Sequence, residues 1–173
     1  GNVALHDLSR EERQLAEEVI ARFDAAGKRY PYRIHNAPHA SALYRHLCAH
    51  VPVPLQMEPM ERSLQTLLGT HDFSAFQAAG GTARTTIRTI EQVELTRQGD
   101  DLKLTIRGNA FLYNMVRIIA GTVIGVGMGR LPEDSFEQAL RTGDRLKLGM
   151  TAPACGLELT EVFYHDKDLN GEN

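Results

Sequence analysis

Read from the amino end, apolar positions first recur at helical intervals. Leu15, Val19, Ile20 and Phe23 follow Ser9-Arg-Glu-Glu12, whose spacing is that of a capping box, and the pattern predicts an amphipathic helix over residues 10–24. From Lys28 to Asn36 the period changes to two. Tyr30, Tyr32 and Ile34 fall on one face and Arg29, Arg33 and His35 on the other, which predicts a strand; Pro31 has no N–H for a ladder and points to a sheet edge. Residues 37–56 hold Pro38, Pro52 and Pro54 without a sustained period and read as an irregular crossing loop, within which His46, Cys48 and His50 alternate as on a strand. Met60, Leu64, Leu67 and Leu68 then line one side of a helix over 57–68.

Past Gly80-Gly81, residues 85–97 and 101–107 predict two strands joined by the tight turn Gln98-Gly99-Asp100. The first slips out of phase around Ile90 and Glu91, as a β-bulge would make it. Residues 112–128 are apolar nearly all round and predict a buried helix, 132–140 a polar surface helix, and 157–164 a final alternating strand. From residue 28 the order is βαββαβ with one extra helix. That is an α+β pattern of ferredoxin-like type, a mostly antiparallel sheet with helices on one face, and it hosts too many functions to select one. The small residues of Gly121-Thr-Val-Ile-Gly125 are expected to seat the buried helix closely on the sheet.

With 173 residues, 42% of them hydrophobic and 24% charged, the chain can bury one real core and is unlike a disordered polymer. The expected layout is an N-terminal helix or linker over 1–24, a domain over 25–165 and a tail over 166–173. The longest uncharged apolar run, Ile118 to Met128, is about half of what a bilayer crossing needs, so no membrane partner and a cytoplasmic location are expected. Two cysteines cannot make a disulfide framework. Net charge is −3, yet residues 25–130 carry 12 basic against 7 acidic groups between two acidic ends, and 15 of the 19 basic residues are Arg. Coding bias explains the Arg share equally well; the segregation is what suits RNA.

Between Gly108 and Gly129 the sole charged residue is Arg117. An arginine in so apolar a helix either snorkels to solvent or sits in a cleft with a partner from elsewhere, and the second reading is preferred here. His39, His46, Cys48 and His50 have no second cluster at ligand spacing, so no metal is expected. Gly80-Gly81 is not followed by Lys-Ser or Lys-Thr and is no phosphate loop.

Five ordered segments complete the picture: Arg22-Phe-Asp-Ala-Ala-Gly-Lys-Arg-Tyr30-Pro-Tyr-Arg-Ile34, Leu68-Gly-Thr-His-Asp-Phe-Ser-Ala-Phe76, Ala83-Arg-Thr-Thr-Ile-Arg-Thr-Ile90, Arg107-Gly-Asn-Ala-Phe-Leu-Tyr-Asn-Met-Val-Arg117 and Thr151-Ala-Pro-Ala-Cys-Gly-Leu157. Together they resemble the successive motifs of the bacterial TruA-type tRNA pseudouridine synthases, from about residue 20 to 164. The resemblance implies a cofactor-free isomerase. In that family an Asp carboxylate attacks the target uridine, the glycosidic bond breaks, and the uracil turns and rejoins the ribose through carbon.

Carried over by motif, Tyr30 stacks on the base and accepts the C5 proton, Arg117 pairs with the Asp, and Leu157 packs against the uracil. Lys28, Arg29, Arg84 and Arg88 are the expected RNA contacts. The implied partners are the tRNA anticodon stem-loop and a second copy of the full-length protein, since family members act as homodimers. The family's nucleophile lies in a Gly-Arg-Thr-Asp-Ala-Gly-type segment, which these residues do not contain; Arg141-Thr-Gly-Asp144 is a displaced look-alike. The chain therefore resembles the C-terminal half of the synthase and is expected to be inactive alone. Ile20, where the family has His, and Pro31, where it has a basic residue, depart from the pattern. The competing reading is a non-catalytic RNA-binding module of RRM-like topology, against which stands the lack of an RNP1 pattern.

Overall fold

The computed structural model describes residues 10–11, 27–42, 47–158 and 161–163, the last three by their backbone. The helix expected over 10–24 lies outside these residues apart from its first two positions, as does His46.

The period-two stretch forms β1 (Gly27–Asn36), and the hairpin strands form β4 (Ile87–Gln98) and β5 (Asp101–Gly108). Two short strands, β2 (Ala49–Val51) and β3 (Gly69–Asp72), join them, and β6 (Glu161–Phe163) closes the set. The sheet runs β2-β1-β5-β4-β3, with β6 also on β1. All pairings are antiparallel except β1 with β2. Among the described residues the helices α1 (Met57–Gln65), α2 (Met115–Gly127) and α3 (Ser135–Thr142) complete an α+β fold. None of the helices among the described residues is long and apolar enough to cross a membrane.

The bulge falls where the phase slip placed it, between Ile90 and Gln92, where β4 shifts register against β5. One expectation is corrected. Pro31 does not mark an edge: β5 pairs along nearly the whole of β1, while the other side of β1 takes β6 at 27–29 and β2 at 34–36. Pro31 sits in the gap between those two partners, where its missing N–H deprives no ladder, and its carbonyl accepts from the Glu158 N–H at 3.1 Å. The crossing loop is also less irregular than its prolines suggest, because β2 lies inside it. β2 overlaps the strand-like alternation of His46, Cys48 and His50, whereas β3, Gly-Thr-His-Asp, was not legible as a pattern, being largely exposed and existing through its pairing with β4.

Tyr32, Ile34, Leu102, Leu104 and Ile106 form the sheet's contribution to the core, and α2 brings Ile118, Ile119 and Val123 against it. α3 is amphipathic rather than simply polar: Phe136 and Ala139 are fully buried, and Phe136 stacks on Phe76 with ring centroids 6.0 Å apart. The two small residues of α2 serve close packing, but the surface they meet is not the sheet. A Cβ on Gly121 would collide with the Met150 carbonyl oxygen, and one on Gly125 would come within 2.7 Å of Leu131. The connection after α3 thus lies directly on α2, and that contact determines the geometry of the site.

Candidate functional site

The cleft is built where β1, the loop after β5 and the first turn of α2 converge. Asn109 begins the loop by accepting two backbone N–H groups on its Oδ1, from Thr89 at 2.8 Å and from Ala110 at 2.9 Å. This fixes the chain direction so that Phe111 meets Tyr30 edge-on, centroids 4.9 Å apart at 86°. Asn114 then takes a left-handed conformation, φ 61°, at the start of α2. Such angles are uncommon outside glycine, and Asn is among the residues that tolerate them best.

Arg117 lies in the first turn of α2, half-buried. Its Nε donates to the Ala152 carbonyl at 2.8 Å and its Nη1 to Asn114 Oδ1 at 3.2 Å; in return the Ala152 N–H donates to the Arg117 carbonyl at 2.9 Å. Among the described residues no carboxylate is paired with it. Three other arginines do meet carboxylates: Arg33 bonds Glu158, Arg62 bonds Glu133 at 2.8 Å and Arg107 lies 3.2 Å from Glu91.

The segment that holds Arg117 is itself pinned from below. Tyr32, fully buried, donates its hydroxyl to the Pro153 carbonyl at 2.6 Å. Burial drives the Tyr32 phenol well above its ordinary pKa, with nearby Arg117 acting in the opposite sense. A short 3-10 turn, Ala154–Gly156, follows. A Cβ at Gly156 would stand 2.5 Å from the Tyr32 ring, so only glycine lets the chain descend onto β1 here. Leu157 then bridges Tyr32, which sets its side chain beside Tyr30.

The result is a cleft of about 260 Å³ lined by Tyr30, Phe111, Tyr113, Asn114, Arg117 and Leu157 among others. Tyr30, Arg117 and Leu157, singled out in the sequence, thus come together from three separated segments. Phe111, Tyr113 and Asn114 were not singled out, although all three lie within the segment Arg107 to Arg117. The aromatic pair facing a lone guanidinium can hold a flat polar ring and, beside it, an anionic group.

The four basic residues expected at RNA do not line the cleft. Lys28 is exposed and Arg29 half-buried on β1, directly before Tyr30, and Arg84 is exposed ahead of β4. Arg88 is buried, only 6% exposed, with Nη1 donating to Thr85 Oγ1 at 3.2 Å and to the Ile87 carbonyl at 2.7 Å. Among the described residues no three His, Cys, Asp or Glu side chains gather as a metal site would require. His50 bonds the Ala37 carbonyl at 2.8 Å, and Cys155 Sγ donates to the Cys48 carbonyl at 3.2 Å.

The chain is similar in sequence to known proteins. The chain is 46% identical over 155 residues to tRNA pseudouridine synthase A of Acetivibrio thermocellus, covering 90% of this chain and 64% of that protein. It is 46% identical to tRNA pseudouridine synthase A of Ruminiclostridium cellulolyticum over 152 residues, 87% of this chain and 62% of the relative. It is 42% identical to tRNA pseudouridine synthase A 2 of Clostridium tetani over 155 residues, 90% and 62% of the two chains. The chain thus spans less than two thirds of the length of these curated relatives. The family model described as tRNA pseudouridine synthase matches residues 64–165, more than half of the sequence, and the chain belongs to that family.

Proposed function

We propose that this chain is the cleft-bearing C-terminal half of a tRNA pseudouridine synthase, of ferredoxin-like topology over 25–165, with the flanking residues 1–24 and 166–173 outside that domain. The parent protein isomerises uridine to pseudouridine in the anticodon stem-loop of tRNA, as a cytoplasmic homodimer and without a cofactor. The single observation that carries this reading is the convergence of Tyr30, Arg117 and Leu157 on one cleft.

The chemistry assigns a task to each. Isomerisation breaks the bond from ribose to N1 of uracil and forms one to C5; the C5 proton must leave and N1 must gain one, so the atoms balance without any co-reactant. The attacking carboxylate comes from a Gly-Arg-Thr-Asp segment that these 173 residues do not contain. Arg117 offers it a charge-assisted partner, keeping it ionised and oriented. Tyr30, braced edge-on by Phe111, stacks on the loosened base and receives the C5 proton. Leu157 closes the apolar side, keeping water from the freed uracil. Lys28, Arg29 and Arg84 meet RNA phosphates, and Arg88, bonded to Thr85 next to Arg84, supports that segment.

The test is tritium release from C5-labelled uridine in unmodified tRNA. The parent protein releases it and this chain alone does not; turnover by the chain alone would sink the assignment of the nucleophile. The basic middle segment, residues 25–130, predicts that the chain binds an anticodon stem-loop RNA weakly, with affinity falling between about 50 and 200 mM salt. An RRM-like binding module would show the same salt dependence but would leave the parent protein without isomerase activity.

A further inference from the structure

The first turn of α2 departs from two local rules at neighbouring positions. The residue that opens a helix usually has extended backbone angles, and an Asn there uses its side chain to accept an N–H of the first turn. Asn114 does neither: its backbone is left-handed at φ 61° and ψ 12°, and its side chain caps no N–H. Three residues on, the positive end of the helix carries Arg117, where an acidic residue would be favoured, and the first turn holds no acidic residue at all. One contact accounts for both departures. Asn114 Oδ1, released from capping, accepts from Arg117 Nη1 at 3.2 Å. A guanidinium only donates, so the amide must present its oxygen.

Both groups that hold Arg117, the Asn114 amide and the Ala152 carbonyl, are neutral. They consume two donors and none of the charge. We propose that Asn114 is a positioning residue for Arg117: its left-handed backbone aims Oδ1 at the guanidinium, and its neutrality leaves the positive charge available to an anionic group entering the cleft. This rests on the synthase reading of the cleft. It explains why the position carries an amide: Asp has the same length but would pair with Arg117 itself, and Gly suits the backbone but offers no acceptor.

The experiment makes Asn114→Asp and Asn114→Gly in this chain and in the longer protein proposed above. In this chain, the Arg117 Nε–H signal in 15N-resolved NMR should move in both variants and exchange with solvent about fivefold faster in Asn114→Gly. Asn114→Asp should raise the urea midpoint at pH 7. An Asp paired with Arg has a folded pKa below its unfolded value near 3.9, so the gain is present above that value and lost as pH falls through the folded one. In the longer protein, kcat for uridine conversion should fall about 100-fold in Asn114→Asp and about 10-fold in Asn114→Gly, with KM for tRNA nearly unchanged.

A residue that merely shapes the helix start predicts the opposite for Asn114→Gly, namely an unmoved Arg117 signal and wild-type kcat, and either result overturns the proposal. Should Asn114→Asp fail to fold, Asn114→Gly decides alone. If the wild-type longer protein converts no uridine while the Arg117 signal responds as expected, the positioning role stands and the synthase reading fails.

Discussion

Helices α2 and α3 are neighbours in sequence and differ in how their ends are made. α3 has Glu137 in its first turn, Arg141 in its last and Gly143 at φ 71° just beyond, each in the place that favours a helix dipole or a left-handed stop. α2 has the left-handed residue at its start, a cation in its first turn and no basic residue in its last. α3 contacts its surroundings through one face, whereas α2 is buried nearly all round, with 10 of its 13 residues buried. The contrast teaches where local preference yields. α3 has ends that its own sequence favours and one buried face to anchor it; α2 can hold an unfavourable first turn because apolar burial along its body supplies far more than that turn loses.

The strongest way to break this comparison is to remove what anchors each helix. Phe136→Ala should destabilise the chain by about 3–5 kcal/mol, since α3 has few other buried groups and Phe136 stacks on Phe76. Urea melts check it, and a loss under about 1 kcal/mol would mean that α3 is held chiefly by its own preferences. For α2, Gly121→Ala should cost about 3 kcal/mol, because the new methyl meets the Met150 backbone rather than a movable side chain. Gly125→Ala, which meets the flexible Leu131, should cost about 1 kcal/mol. Equal losses at the two positions would show that the connection over Gly121 yields as easily as a side chain.

A smaller effect sharpens the view of the cleft. Tyr32→Phe keeps the ring against Gly156 but deprives the Pro153 carbonyl of its donor, at a cost of about 1 kcal/mol. The pH dependence carries a sign. Because burial raises the Tyr32 pKa in the folded chain, the contribution is fully present below the unfolded value near 10 and is lost as pH climbs from there toward the folded one. Stability should therefore fall above about pH 10 in the wild type and more gently in Tyr32→Phe. Parallel curves would show that another group governs alkaline unfolding.

The smallest effect is expected at the most functional position. Arg117→Met removes two bonds to neutral acceptors but also a half-buried cation from the positive end of a helix, and the two should nearly cancel in this chain. In the longer protein the same change should abolish uridine conversion while the fold survives. If Arg117→Met unfolds this chain, the arginine is a structural strut between α2 and Ala152, and its assigned role is wrong.

Much of the fold is legible because it depends on neighbours in the chain. The alternation from Lys28 to Asn36, the turn after Gln98, the phase slip at Ile90 and the apolar stretch that became α2 are all local signals, and each produced the expected element. Phe136 in a polar stretch was read only as part of a surface helix, although Phe136, Ala139 and Leu140 stand at helical spacing and mark its buried face. The resemblance to the synthase motifs marked Tyr30, Arg117 and Leu157, and the isolation of Arg117 in an apolar helix was visible without it. Phe111 and Asn114 could not be distinguished from the residues around them, since an edge-on ring contact and a left-handed backbone leave no trace in composition.

What the sequence determined by itself, then, is the set of elements whose hydrophobic period or turn chemistry is self-contained, together with the one charge that needed a partner. Only the tertiary structure decided that Pro31 lies in an inner strand, because its tolerance depends on β6 and β2 leaving a gap opposite it. Only the tertiary structure, likewise, decided that Arg117 is held by neutral oxygens. Its Ala152 partner lies 35 residues away, brought there by a connection that can rest on α2 only because Gly121 has no side chain.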